Sequence, residues 1–167
     1  MIKTVFVIGV NGIGKTTVMN EVQKLILGRN FELHDFDERG VPDNADKVWR
    51  MSETKYWISV GKENQKRNIS TIIFGFCKPE EIDSEVEIIL LDGKPEAIEE
   101  RIKGRYLTEE SRAELTRTTG KTVEKFVTDN VYVASLLRKS CEGLGCTIIA
   151  TDNRSPRDIA QEVVDLV

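Results

Sequence analysis

The sequence is poor in the features that would mark a membrane protein, a disulfide scaffold or a histidine-built metal site. No apolar run approaches the roughly 20 residues needed to span a bilayer. Cysteine occurs only at Cys77, Cys141 and Cys146, an odd number in no metal-ligand spacing, so reduced and mostly buried thiols in a cytoplasmic protein are expected. The single histidine, His34, reads as structural rather than catalytic. Positive charge is not in excess either: 24 Lys and Arg face 28 Asp and Glu, a formal charge of −4. That balance gives no footprint for nucleic acid or an anionic membrane surface. The first apolar stretch lacks a small-residue cleavage site, so no secretory leader is expected. Asn68-Ile69-Ser70 and Asn153-Arg154-Ser155 match the glycosylation triplet, but the expected compartment argues against its use. Repeats, low-complexity tracts and linkers are absent. With 40% hydrophobic and 31% charged residues over 167 positions, one globular domain spanning residues 1–167 is expected.

What is present alternates. Ile2 to Ile8 is β-branched and almost wholly apolar, as suits a strand buried on both faces. From Lys15 to Leu27 the apolar residues fall at helical spacing, closed by Gly28. Phe31 to Phe36 is a weaker strand. Beyond Pro42, Ala45 to Val60 predicts one or two helices ending at Gly61. Ile69 to Phe76 and Val86 to Leu91 read as buried strands, and Pro95 opens a helix. Tyr106 to Gly120 is polar and poorly periodic. A long helix follows from Val123 to near Gly143, then a short strand, Cys146 to Ala150. Ser155, Pro156 and Asp158 then supply the cap, first turn and capping-box position of a last helix. Alternating strands and helices predict a parallel sheet covered on both faces.

Gly9-Val10-Asn11-Gly12-Ile13-Gly14-Lys15-Thr16-Thr17 fits GxxxxGK[ST] between a buried strand and an amphipathic helix. A chance match in a chain of this length has odds on the order of one in a hundred. Glycines let successive backbone N–H groups point at phosphate oxygens, and the helix N-terminus adds partial positive charge. Lys15 supplies a point charge to the β- and γ-phosphates, and the Thr16 hydroxyl is a Mg²⁺ ligand candidate. The phosphate-binding set is therefore Gly9, Asn11, Gly12, Ile13, Gly14, Lys15, Thr16 and Thr17. A guanine-reading Asn-Lys-x-Asp is missing. The third strand ends in Gly75-Phe76-Cys77 without the metal-binding acid of motor-type ATPases. Asp92 would serve as that acid only in a different sheet order.

The chain resembles the small P-loop kinases of the nucleoside monophosphate kinase and shikimate kinase-like group. Asp92-Gly93-Lys94-Pro95-Glu96 and Glu100-Arg101-Ile102-Lys103-Gly104-Arg105 look like the stretch entering an adenylate-kinase lid. That resemblance puts Arg101 near the adenine and α-phosphate and lets Arg105 reach the transferring phosphate. Residues 101–125 carry seven Lys/Arg and four Glu, a local +3, which suits a mobile cationic lid over about 105–121. Arg112 and Arg117 read equally well as solvated surface charges. His34-Asp35-Phe36-Asp37 resembles the Asp-x-Asp of shikimate kinases. Alternation sets both carboxylates on one side near the ligand-binding edge of the sheet. Asp35 is then a candidate for the Mg²⁺ waters and Asp37 for binding or deprotonating an acceptor hydroxyl. Asn153 and Arg154 follow the last strand, where the group's adenine-contacting loop lies. In place of the group's Asp-Gly-x-Pro-Arg stands Gly75-Phe76-Cys77-Lys78-Pro79, with Lys78 an imperfect substitute for the arginine. Trp49, Arg50, Tyr56 and Trp57 form either an acceptor clamp or a piece of core.

The resemblance implies a P-loop NTPase three-layer sandwich, an α/β fold with a five-stranded parallel sheet in the order 2-3-1-4-5 and a short lid. The expected activity is transfer of the ATP γ-phosphate, with Mg²⁺, to a small-molecule phosphoryl acceptor, by Lys15, Asp37 and Arg105. A nucleoside monophosphate is the first acceptor class and a hydroxylated metabolite the alternative. An ATP-binding switch acting through a partner is a reading of a different class. A monomer or small homo-oligomer, with no nucleic-acid or membrane partner, is expected.

Overall fold

The computed structural model describes residues 2–43 and 45–167. Five strands, β1 (Thr4–Ile8), β2 (Phe31–Asp35), β3 (Ser70–Gly75), β4 (Glu87–Asp92) and β5 (Thr147–Ala150), form one sheet in the order β2-β3-β1-β4-β5. Every pairing is parallel, as the sequence predicts. All residues of β1 and β3 are buried, so the centre of the sheet is covered on both faces, which is why these runs carry no polar alternation. β2 is half-buried throughout because it lies at the edge.

Among the described residues six α-helices complete the fold: α1 (Lys15–Leu25), α2 (Lys47–Lys66), α3 (Pro95–Arg105), α4 (Glu109–Thr119), α5 (Val123–Leu144) and α6 (Pro156–Leu166). α1 packs on α6 and α3 on α5. In the register Ile8 stands opposite Gly75 and Leu90, and Asp35 opposite Phe74. The carboxyl ends of the strands are therefore level, and the loops leaving them gather at one edge. Among the described residues no helix is long and apolar enough to cross a membrane.

Two helical segments differ from expectation. α2 is one helix and does not stop at Gly61; it runs on to Lys66. Gly61 is there for space, since a Cβ would lie 2.3 Å from Thr4 Oγ1 and 2.5 Å from its Cγ2. α5 ends at Leu144, near Gly143 as expected, and is closed by Gly145 in the left-handed region, at φ 71°. The polar stretch after Tyr106 is not irregular. Thr108 caps it by accepting from Ser111 N, Gly120 closes it, and α4 forms between them with Leu115 as its one buried residue.

Helix propensity alone predicts that Gly61→Ala stabilises the protein by about 1 kcal/mol. The contact with Thr4 reverses the sign. A loss of about 1–3 kcal/mol in chemical denaturation is expected, partly recovered by adding Thr4→Ala. A stabilised Gly61→Ala variant would contradict the packing described.

Candidate active site

The loop between β1 and α1 turns at Gly12, at φ 82°, and Gly14, at φ 102°, a backbone region that L side chains rarely adopt. This geometry coils the loop around the N-terminus of α1, whose first residue is Lys15. Lys15 Nζ folds back and donates to Gly9 O at 2.7 Å and Val10 O at 2.9 Å. Burial, reinforced by the Arg105 guanidinium and opposed by Asp35 and Asp37, pushes its pKa down from 10.5 to about 8.

Beside it opens a cavity of about 320 Å³ whose wall includes Lys15, Thr16, Asp35, Asp37, Arg50 and Arg105. These side chains come from α1, the end of β2, α2 and the end of α3, so the level sheet edge is what brings them together. Phe74, Gly75 and Phe76 floor it. Gly75 has no room for a side chain, since a Cβ would lie 2.2 Å from Phe36 Cβ. Phe36, buried between the two acids, thus rests on the end of β3.

Asp37 N donates to Asp35 Oδ1 at 2.9 Å, which fixes the two acids relative to each other. Burial holds the Asp37 carboxyl above the usual carboxylate range; Arg50 and Lys15 pull it down, while Asp35 and Glu53 push it up. Thr16 and Asp35 give the chamber two oxygen donors. That set fits Mg²⁺, which binds through one or two protein oxygens plus phosphates and water.

Lys78, the expected stand-in for the acceptor-gripping arginine, does not line this chamber but a separate groove beside Phe76. Cys77 is buried, and the chain turns away at Lys78 into a short 3-10 turn, Pro79–Glu81. Arg50 does line the chamber, held by Nη1 donating to Phe76 O at 2.8 Å and lying 5.2 Å from the Phe76 ring centroid. Of the aromatic cluster, Trp57 belongs to the core, with Nε1 donating to Phe36 O at 3.0 Å. Tyr56 is exposed under Arg39, which pairs with Glu53. His34 lies between Glu38 and Glu32 outside the chamber.

A second groove, of about 290 Å³, lies across Gly12 and Ile13, with Arg101, Thr151 and Arg154 on its walls. Arg101 Nη1 donates to Ile13 O at 3.1 Å and to Thr151 Oγ1 at 3.3 Å. Arg105 borders both cavities. Asn153 does not line the groove. It is exposed in a left-handed turn, at φ 56°, and Arg154 faces the groove in its place. Asp92 is tied up by Arg138 Nε at 2.6 Å, on the side of β1 away from β3, so it does not replace the missing acid of β3. Asn11 makes a contact that the sequence does not announce: its N and Nδ2 both donate to Asn130 Oδ1 on α5.

One pH dependence follows. Above about pH 8 nucleotide-free Lys15 loses its charge, so phosphate binding must take up a proton there. Affinity for ADP, measured by titration calorimetry, should fall as the pH rises above about 8. The fold shows the opposite sign. The folded pKa lies below the unfolded one, so the charged ammonium destabilises at neutral pH, and that cost is relieved progressively between about pH 8 and the ordinary lysine value of 10.5. Equal ADP affinity well below and well above that pH would contradict the burial of Lys15.

No protein-family model matches the chain, and no curated protein matches its sequence. Solved structures do match. A shikimate kinase from Acinetobacter baumannii in complex with shikimate is similar with TM-score 0.62 and 19% identity, over 99% of this chain and 93% of that one. A sugar kinase from Janibacter sp. HTCC2649 gives 0.55 and 20%, over 99% and 94%. A gluconokinase from Sinorhizobium meliloti 1021 gives 0.54 and 16%, over 98% and 90%. The order of the five parallel strands, the phosphate loop after the first and these likenesses agree: the chain has the fold of the small P-loop kinases.

Proposed function

We propose that this protein is an ATP-dependent kinase that phosphorylates a hydroxyl group of a small acceptor bearing an anionic group. The observation that carries this is the convergence of Lys15, Asp37, Arg50 and Arg105 on one chamber. Phosphoryl transfer asks a protein mainly for positioning and charge. The loop amides and Lys15 would hold the β- and γ-phosphates, and Arg105 would neutralise charge spreading onto the transferring group. Arg50 would fix the acceptor's anionic group and so aim its hydroxyl. The hydroxyl oxygen bonds to the γ-phosphorus as the bond to the β–γ bridging oxygen breaks. The hydroxyl proton passes to the Asp37 carboxylate, and ADP departs. When bound between Thr16, Asp35 and the phosphates, Mg²⁺ would offset phosphate charge. The adenine would lie in the groove beside Arg101 and Arg154.

Two features favour a hydroxyl over a nucleotide phosphate as acceptor. A phosphate is already a nucleophilic anion and needs no base, yet an acid whose carboxyl is held above its usual range lines the chamber. The cavity of about 320 Å³ is also at the small end of ligand sites and must admit the γ-phosphate as well. The structures matched include kinases whose names specify shikimate, a sugar or gluconate, which supports the same class.

The test is a coupled ADP-release assay with three arms: hydroxy acids and polyol acids, nucleoside monophosphates, and no acceptor. Turnover that depends on a hydroxy acid is expected. Turnover confined to nucleoside monophosphates would reassign the acceptor, and ATPase activity indifferent to every acceptor would point to a switch.

A further inference from the structure

The buried stripe of α5 runs Val123, Val127, Asn130, Ala134, Leu137 and Cys141. One member is polar. Asn130 is 8% exposed, and both ends of its amide are engaged. Oδ1 accepts from Asn11 N at 3.1 Å and Asn11 Nδ2 at 3.2 Å, while Nδ2 donates to Phe126 O at 2.8 Å. The orientation of the amide is not arbitrary, since a backbone N–H only donates and a carbonyl only accepts. Among the described residues, Asn130 is the only residue of α4 or α5 hydrogen-bonded to the phosphate loop.

From Asn130 the contacts lead to the hinge of the cationic segment. The Phe126 ring stands edge-on to Tyr106, with centroids 6.1 Å apart. Tyr106 caps α3 directly after Arg105, and its carbonyl accepts from Arg112 Nε of α4 at 3.0 Å. α4 itself is anchored by a single buried side chain, Leu115. A helix held so lightly takes its position from its ends, and its amino end is the Tyr106 hinge.

We propose that Asn130 is a positioning residue that couples the phosphate loop to the lid: nucleotide at the loop is transmitted through Asn11, Asn130, Phe126 and Tyr106 to α4. The coupling rests on the reading above that the loop holds nucleotide phosphates. It gives the lid a means of responding to ATP before the acceptor arrives, and it sets the loop through Asn11, next to the Gly12 turn. A leucine at 130 would complete an apolar stripe, so the asparagine costs stability that packing alone does not require.

Hydrogen exchange by mass spectrometry, with and without saturating ADP and Mg²⁺, tests this on the full chain. In the wild type, ADP should slow exchange both in residues 9–17 and in residues 106–122. In Asn130→Leu the loop should still be slowed, while the ADP-dependent slowing of 106–122 falls by about tenfold. Asn11→Ala keeps the backbone bond and alters an exposed side chain, so it should fold normally and lose part of the lid response. It therefore decides the matter if the leucine variant is unstable. Undiminished lid slowing in both variants would overturn the coupling. Loop slowing without lid slowing in the wild type would overturn it alone, leaving the kinase reading intact. No ADP effect on the wild-type loop would overturn both.

Discussion

Replacing Lys15 with alanine should abolish phosphoryl transfer and leave a well-folded protein. Its ammonium is held by the loop's own Gly9 O and Val10 O, and in the proposed reading it meets the β- and γ-phosphates. Removing a single donor aimed at transition-state charge costs on the order of a hundred- to a thousandfold, and a formal charge in a partly enclosed site belongs at the upper end. Turnover should therefore drop by about a thousandfold. Stability should not drop with it. Burial pushes the Lys15 pKa down to about 8, so the charged form is a cost to the folded state at neutral pH. The nucleotide-free variant should melt no lower than the wild type near pH 7, whereas ADP should no longer raise its melting temperature. Substantial turnover in a folded Lys15→Ala variant would overturn the phosphate-loop assignment.

Asp37→Asn should reveal the acceptor class. Asparagine keeps the size and much of the hydrogen bonding but cannot accept the proton of an attacking hydroxyl. Loss of a general base lowers turnover by about a hundredfold or more. ATP affinity should change little, because the nucleotide contacts come from other loops. Burial already holds this carboxyl above its usual range, so in the wild type the acidic limb of the rate profile should lie above that of an ordinary carboxylate. That limb should disappear in Asp37→Asn. A variant with unchanged turnover but a raised Michaelis constant for the acceptor would make Asp37 a binding residue, as a phosphate acceptor requires. No change in either would make it a bystander.

The parts of this site that lie on contiguous residues were legible in the sequence. The phosphate loop, the Asp35–Asp37 pair and the Arg101–Arg105 spacing each sit on one strand end or one helix, where local pattern determines direction. The sheet order could be expected only through the resemblance, yet β1 and β3 announced their central place by carrying apolar residues on both faces. Long-range partners were not legible. Nothing near Arg50 says that its guanidinium crosses to Phe76 O, 26 positions on, and nothing near Asn130 names Asn11, 119 positions back. Lys78 misled because it sits at the right offset from Gly75, while buried Cys77 and Pro79 direct the chain away. Gly61 misled because a glycine after an apolar run usually ends a helix; here it makes room for a residue of β1. Of the two candidates after the last strand, Arg154 faces the groove and Asn153 does not, since the sense of a turn is not written in its composition.

The central claim is that the chamber moves the γ-phosphate of ATP onto a hydroxyl of a small anionic acceptor. Its most direct measurement follows the label itself: the protein, with Mg²⁺ and γ-labelled ATP, incubated with a mixture of hydroxy acids, polyol acids and nucleoside monophosphates, the products resolved by mass spectrometry. The account predicts label in the phosphate ester of a hydroxylated acid, absent with Lys15→Ala. Label appearing only in inorganic phosphate, or only in nucleoside diphosphates, would contradict it.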